Sequence, residues 1–166
     1  MNVYLYDEGN IRYGASPFTL NNLEQKSLIT KGVSAQKEIY DDKPFSISDL
    51  KIYLKNKGLD YKKINDSIVN IIILIFNCIY YQIGNYKNIQ KGLNFQLFGG
   101  DFLVKQDLNT LFLEFNKGPE LGCVKGLKKE CKMKQILQRD ILQLVGLDQT
   151  NFNSPYKFNK LLTKNK

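Results

Sequence analysis

Apolar residues recur along the chain with two periods, one typical of helices and one typical of strands. Between Asp60 and Ile83, isoleucines return at steps of three and four residues, which predicts a helix. Because this helix is apolar almost all round after Ile68, we expect it to lie deep against a sheet. Polar residues interrupt its apolar part, which is shorter than the roughly 20 residues that span a bilayer. A buried helix is therefore favoured over a membrane span.

Two further helices are indicated by their end signals. Ser46 is an N-cap candidate with Asp49 three residues later, and Gly58 suits the residue that follows the last turn. Lys128–Val145 has apolar residues at helical spacing and is followed by Gly146. Both segments are therefore predicted to be amphipathic helices.

Alternating positions predict two β-hairpins. Val3–Ala15 alternates around the turn-forming residues Asp7–Asn10. In Asn94–Leu121, two β-prone runs flank a turn at Gln106–Thr110. With the helices, these hairpins predict an α+β fold with a mainly antiparallel sheet and helices packed on it. Val3–Leu5, without an N-terminal neighbour, is expected to be an exposed edge that favours association.

Composition narrows the class of protein. The 166 residues match one domain, and 43% hydrophobic residues supply a core. No basic and apolar signal follows Met1, so a cytoplasmic location is expected. The absence of histidine excludes histidine-based metal sites and Ser-His-Asp or Cys-His catalysis. Cys78, Cys123 and Cys131 are odd in number and lack Cys-x-x-Cys spacing, so neither a disulfide framework nor a zinc site is expected.

The net charge of +8 raises the question of a nucleic-acid partner. Only two of the 24 basic residues, Arg12 and Arg139, are arginines. The guanidinium fork that reads guanine or clamps phosphates is therefore nearly absent. The composition argues against nucleic acid as the partner.

The second hairpin carries three oxygen side chains that suit a hard cation. Asp101 and Glu114 flank its turn, and residues equidistant from a turn lie opposite each other on antiparallel strands. Asn116 has the same strand parity as Glu114, so both point to one face, while Leu113 and Phe115 point to the other. Mg²⁺ prefers such oxygen ligands and shares them with phosphates.

The residue after these ligands, Lys117, puts a cation beside the expected phosphates. The alternative to a metal site is an ordinary hairpin with two acidic residues and an asparagine, a frequent arrangement.

Two segments of this hairpin carry a family pattern. Phe95–Phe102 has the form aromatic-x-Leu-aromatic-Gly-x-Asp, and Leu113–Pro119 has the form apolar-Glu-x-Asn-x-x-Pro. Together they resemble the tubulin-tyrosine-ligase-like branch of the ATP-grasp ligases. Val3–Pro17 is similar to the family's strand-turn-strand segment, which ends in an arginine near the nucleotide phosphates, here Arg12. Ser27–Thr30 departs from the family's His-Leu-Thr-Asn segment.

The resemblance implies roles for individual residues. Asp101, Glu114 and Asn116 would be the Mg²⁺ ligands, with Asp101 also part of the ATP site. Arg12 would be a catalytic residue that contacts phosphate or the substrate carboxylate. The alternative for Arg12 is an exposed charge on a strand.

The implied function is that of an ATP- and Mg²⁺-dependent ligase, which adds an amino acid to a protein or peptide carboxylate through an acylphosphate. Residues 1–150 would form a partial ATP-grasp domain, its C-terminal portion, with a helical segment at 46–84. Residues 151–166 would be a frayed, Lys-rich tail. Because the family's N-terminal nucleotide clamp is not matched, the alternative is an inactive remnant that serves as a binding or structural module.

The expected acceptor is an acidic, tubulin-like tail in a cytoplasmic or cytoskeletal setting, with no membrane partner. A lysine-rich stretch after the hairpin would attract such a tail, although a solvated helix face is the more frequent explanation. Its members are Lys125, Lys128, Lys129, Lys132 and Lys134.

Overall fold

The computed structural model describes residues 1–14, 16–21, 38–83, 94–123, 127–147 and 157–164. Strands and helices alternate irregularly along the chain, and the α+β class is confirmed. The elements are β1 (Asn2–Tyr6), α1 (Ile39–Asp42), α2 (Ile47–Asn56), α3 (Lys62–Ile83), β2 (Phe98–Val104), β3 (Thr110–Lys117), α4 (Lys128–Leu144) and β4 (Phe158–Thr163). Ser27–Thr30 lies outside the described residues.

The described strands form two separate two-stranded antiparallel sheets rather than one larger sheet. The chain divides into two compact units. The first contains residues 1–7, 61–122 and 134–166, and the second contains residues 8–60 and 123–133.

Strands β2 and β3 form the predicted hairpin, and helix α3 packs against it. The ring of Phe76 on α3 lies 5.8 Å from that of Phe115 and 6.1 Å from that of Phe98. Nearer the turn, the Ser67 and Thr110 hydroxyls are 2.8 Å apart, and the Thr110 amide donates to Ser67 Oγ. One face of the hairpin is therefore held to the helix by aromatic contacts and by a pair of hydroxyl groups.

The hairpin turn centres on residues 106–109, as predicted. The Lys105 amide donates to the Asn109 carbonyl, and the Leu108 amide donates back to the Lys105 carbonyl. Leu108 has φ 64°, a left-handed conformation that favours glycine or asparagine. The Asp107 side chain accepts hydrogen bonds from Asn109, which lower the pKa of Asp107. The turn is thus closed by Asp107 and Asn109 while Leu108 is strained.

Helix α3 is less buried than its pattern predicts. Ile64 and Ile72 are buried, but Leu74 and Tyr81 are 64% and 77% exposed. The expectation of a deeply buried helix is wrong for the side of α3 that carries Leu74 and Tyr81. The described two-stranded hairpin is too narrow to cover a helix that is apolar all round. Among the described residues, Lys62–Gln82 is long and apolar enough to cross a membrane, with mean hydropathy 1.5. Core helices of soluble proteins satisfy the same criterion, so length and composition do not assign it to a membrane.

The N-terminal hairpin predicted over Val3–Ala15 is wrong. Strand β1 pairs instead with β4, in a register that places Val3 opposite Leu162. Residue Ile11 donates its amide to the Phe45 carbonyl and is not part of a strand. The expectation of a frayed tail is likewise wrong for Phe158–Thr163, which form β4. The division at residue 150 and association through the β1 edge stay predictions.

In the second unit, helix α2 has the predicted ends. Ser46 and Asp49 form a reciprocal capping box. Glu8 adds a carboxylate that accepts from the Ser48 amide at 3.1 Å, and Gly9 accepts from the Ile47 amide. The acidic segment Asp7–Asn10, predicted to be a hairpin turn, thus supplies acceptors to the first turn of α2, where anions are favourable.

The same unit contains a disulfide that was not expected. Cys123 and Cys131, eight residues apart, are bonded, whereas Cys78 is free and exposed. The expectation of no disulfide is therefore wrong. Spacing alone does not reveal this pair, because the distance between the two Sγ atoms depends on where Cys123 lies relative to the first turns of α4.

Candidate metal centre

The three oxygen side chains of the hairpin meet on one face, as predicted. Asp101 and Glu114 are direct partners across β2 and β3. The Asn116 side-chain amide donates to Asp101 Oδ2 at 3.4 Å and to Glu114 Oε1 at 3.3 Å. All three side chains are exposed. Two carboxylates and one amide therefore converge at the open end of the hairpin, away from its turn.

This donor set fits Mg²⁺ chemically. Two carboxylates supply hard, charged oxygens, and a half-turn of the Asn116 amide exchanges its nitrogen for its oxygen. Within the described residues, no group of three or more His, Cys, Asp or Glu side chains could hold a metal. The cluster thus offers only three protein ligands, which leaves positions for phosphate oxygens and water, as Mg²⁺ sites at phosphates commonly do.

A pair of glycines explains why the motif has the form Gly-Gly-Asp. Gly99 is the partner of Asn116, and a Cβ on Gly99 would lie 3.1 Å from Pro119 Cβ. A Cβ on Gly100 would lie 2.9 Å from the rings of Phe102 and Phe115. Gly99 therefore leaves room for the returning loop beside the ligands, and Gly100 leaves room for the rings of the opposite face.

Lys117 is placed at the end of β3, opposite Phe98. It has the strand parity of Phe115, so its Cβ points to the face opposite that of Asn116. The side chain is exposed. The structure therefore does not bring Lys117 onto the ligand face, and its contact with phosphate stays a prediction that depends on its long, flexible stem.

Arg12 belongs to the second unit, in a segment fixed by tyrosines. Tyr40 donates its hydroxyl to the Ile11 carbonyl at 2.8 Å, and Tyr13 donates to the Pro44 carbonyl at 2.9 Å. Burial raises the pKa of Tyr13 to about 12. Burial also raises the pKa of Tyr40, an effect that the Arg12 guanidinium partly offsets. The backbone on both sides of Arg12 is thus held while its side chain is exposed, and its catalytic role stays a prediction.

The loop that follows Pro119 contacts helix α4 through two side chains that sequence reasoning did not assign to it. Lys134 Nζ donates to the Gly122 carbonyl at 2.9 Å, and Gln138 Nε2 donates to the Leu121 carbonyl at 2.9 Å. Lys134 is only 7% exposed. The expectation that Lys134 helps to attract an acidic tail from the surface is therefore wrong. Only the helical spacing of four between the two residues could have suggested that they share a partner.

Comparison with known proteins identifies the family. The family model described as the tubulin-tyrosine ligase family matches residues 1–153. The chain belongs to the tubulin-tyrosine ligase family. Membership confirms the resemblance inferred from Phe95–Phe102 and Leu113–Pro119, and the α+β fold is consistent with the ATP-grasp character of this family.

Several curated members of the tubulin-tyrosine ligase family are similar to the chain at low identity. Tubulin polyglutamylase ttll-4 of Caenorhabditis briggsae is 26% identical, over 98% of this chain and 28% of the relative. Probable tubulin polyglutamylase TTLL2 of Mus musculus is 27% identical, over 89% of this chain and 28% of the relative. Tubulin polyglutamylase ttll-5 of Caenorhabditis elegans is 29% identical, over 85% of this chain and 22% of the relative.

The chain therefore spans between 22% and 28% of the length of these three relatives. No solved structure is significantly similar to it.

Proposed function

We propose that this chain provides the Mg²⁺-binding hairpin of an ATP-dependent ligase that joins an amino acid to a carboxylate of an acidic protein tail. The observation that carries the proposal is the placement of Asp101 directly opposite Glu114, with the Asn116 amide within hydrogen-bonding distance of both carboxylates. Family membership supports the reaction class, and the named polyglutamylases support a tubulin-like acceptor. A cytoplasmic, cytoskeleton-associated location follows from the same proposal.

The proposed reaction has two balanced steps. An oxygen of the acceptor carboxylate attacks the γ-phosphorus of ATP, which forms an acylphosphate and releases ADP. The amine of the incoming amino acid then attacks the acyl carbon, which forms an amide and releases phosphate and a proton. When bound, Mg²⁺ supplies charge neutralisation at the transferred phosphoryl group, which is a large term in such reactions.

The residues of the chain have distinct parts in this scheme. Asp101, Glu114 and Asn116 bind and orient the metal through their oxygens. Arg12 contacts a phosphate or the acceptor carboxylate, because its guanidinium pairs with either anion. Lys117 contacts a phosphate from the end of β3. The exposure of the three ligand side chains keeps them accessible to a nucleotide.

Calorimetric titration with a non-hydrolysable ATP analogue and Mg²⁺ tests the proposal on the full chain. We expect binding by the unsubstituted chain, and at least about tenfold weaker binding by Asp101→Asn and Glu114→Gln, because a direct ligand matters no less than an outer-shell group. Asp107→Asn is the matched control, since Asp107 is an exposed carboxylate at the turn of the same hairpin.

Two results would contradict the proposal. Absence of Mg²⁺–nucleotide binding, or binding equally strong in all three variants, would favour the alternative of an inactive remnant that serves as a binding or structural module. Incorporation of a labelled amino acid into a glutamate-rich peptide then distinguishes a binding hairpin from a complete ligase.

A further inference from the structure

The loop of residues 119–123 follows the ligand strand β3 and contacts helix α4. It leaves β3 through Gly118, whose φ is +69° and whose amide donates to the Leu97 carbonyl at 3.2 Å. Pro119 then lies against Gly99, the strand partner of Asn116. The loop therefore begins beside the ligand cluster, and its position bears directly on where Asn116 is held.

Two successive carbonyls of this loop are bound by side chains one helical turn apart. Leu121 accepts from Gln138, and Gly122 accepts from Lys134. Residues four apart share a helix face, so the two donors present one continuous edge to the loop. The next loop residue, Cys123, is bonded to Cys131, which precedes Lys134 by three residues.

The burial of Lys134 indicates that this contact is specific. A buried ammonium costs free energy unless polar groups surround it, yet Lys134 is 7% exposed and directs Nζ to a backbone carbonyl. An exposed lysine would retain its hydration and leave the carbonyl to water. The geometry therefore binds the loop to α4 through a donor that cannot reach bulk water easily.

We propose that Lys134 and Gln138 are positioning residues, which hold the Leu121–Gly122 backbone and thereby fix Asn116 against Asp101 and Glu114. Asn116 lies three residues before Pro119, where the loop begins, so a displacement of the loop backbone is transmitted to Asn116 through only two residues. The amide is the weakest of the three ligands, because it carries no charge and must present its oxygen. The orientation of the Asn116 amide is thus the feature of the ligand cluster that is most sensitive to the position of the loop. This inference rests on the proposed Mg²⁺ function of the hairpin.

Gln138→Leu is the main test variant, because Gln138 is exposed and its substitution leaves the helix core intact. The matched control is Gln135→Leu, an exposed glutamine on the same helix. We expect about tenfold weaker Mg²⁺–nucleotide binding in Gln138→Leu, at the low end of the 10–100-fold effect of outer-shell groups, and unchanged binding in Gln135→Leu. Lys134→Met should weaken binding at least as much, with a lower urea midpoint.

A second measurement does not depend on metal binding. The side-chain amide signal of Asn116, assigned by its loss in Asn116→Asp, is followed by nitrogen–proton correlation NMR in the metal-free chain. We expect this signal to shift or broaden in Gln138→Leu and to stay in place in Gln135→Leu.

The two proposals fail in different ways. An unchanged Asn116 signal in Gln138→Leu would overturn the positioning role, whether or not the chain binds Mg²⁺. If the unsubstituted chain binds Mg²⁺–nucleotide, an equal affinity of Gln138→Leu would overturn it as well. Absence of Mg²⁺ binding by the unsubstituted chain, together with a shifted Asn116 signal, would overturn the proposed function while supporting the control of Asn116 by α4.

Discussion

The two faces of the β2–β3 hairpin are built for different tasks. One face is aromatic: the Phe115 ring lies 4.7 Å from that of Phe112 and 5.8 Å from those of Phe98 and Phe76. The other face presents the exposed side chains of the ligand cluster, Asp101, Glu114 and Asn116. Burial holds the first face in place, whereas the second face gains nothing from burial and keeps two like charges opposite each other.

A β-bulge makes this division possible. The register shifts between Asp101 and Phe102, so that Glu114 and Phe112 are partners of adjacent β2 residues and Leu113 is left unpaired. The extra residue brings Phe112 to the face of Phe115, although simple alternation would place it with Glu114. The aromatic face therefore gains a ring without any loss from the ligand face. Stability and ligand binding are consequently expected to respond to different substitutions.

The largest effect is expected from removal of the central ring of the aromatic face. Phe→Ala in a full core costs about 3–5 kcal/mol. Because Phe115 is half-buried, we expect Phe115→Ala to lower the free energy of unfolding by about 2–3 kcal/mol, measured by urea denaturation. Leu113→Ala is the control: its side chain is 60% exposed and should cost less than about 0.5 kcal/mol. Equal losses in the two variants would show that burial of the Phe115 ring does not stabilise the hairpin.

The adjacent glycines Gly99 and Gly100 allow the two faces to be perturbed one at a time, because a side chain added at each would point to a different face. Gly100→Ala places a Cβ 2.9 Å from two phenylalanine rings. Overpacking of this kind costs about 1–3 kcal/mol, and we expect a urea midpoint lowered accordingly. In Gly99→Ala the new Cβ meets Pro119 at 3.1 Å, on the ligand side.

The expected result for Gly99→Ala is therefore a smaller loss of stability and a larger loss of Mg²⁺–nucleotide affinity than in Gly100→Ala. Calorimetry and urea denaturation on both variants check the pair. The reverse order of either effect would show that the faces are not independent.

Local patterns allowed the prediction of much of this hairpin. The two β-prone runs with a turn between them predict the hairpin, and the capping box at Ser46 lies within four residues. The direct pairing of Asp101 with Glu114 depends on the bulge, because the register next to the turn would pair Asp101 with Leu113. What the sequence did not reveal depends on distant or irregular contacts. The bulge at Leu113 has no residue signature, and the pairing of β1 with β4 joins the two ends of the chain.

Two features of α4 were missed for a related reason. A lysine in a charged run is predicted to be a surface residue. The burial of Lys134 cannot be predicted without the position of the Gly122 carbonyl, to which its Nζ donates. The Cys123–Cys131 pair likewise depends on where Cys123 lies relative to α4. In both cases the partner lies in a loop, and the periodicity of apolar residues does not predict where a loop residue lies in space.

The turn offers a change that strengthens the hairpin without touching either face. A leucine in the left-handed region costs roughly 1–2 kcal/mol, and glycine removes this cost but adds backbone entropy of about 0.5–1 kcal/mol to the unfolded chain. We therefore expect Leu108→Gly to raise the free energy of unfolding by about 0.5–1 kcal/mol, with unchanged Mg²⁺ affinity. Leu108→Ala, which keeps the strained φ, is the control. A loss of stability in Leu108→Gly would mean that side-chain contacts outweigh the strain.

The smallest effect on stability is expected on the ligand face, and its sign is opposite to that of the aromatic face. Like charges directly opposite on antiparallel strands destabilise the pair by about 0.2–1 kcal/mol. Without metal, Glu114→Gln should therefore raise the free energy of unfolding by about 0.5 kcal/mol, or less in high salt, which screens exposed charges. With Mg²⁺ and nucleotide the order reverses, because ligand that binds only the folded chain stabilises it.

Thermal denaturation of Glu114→Gln and of the unsubstituted chain, with and without Mg²⁺–nucleotide, measures this reversal of their order of stability. If Glu114→Gln were less stable without metal, the carboxylate would be a structural group and the two faces would not differ in the way proposed.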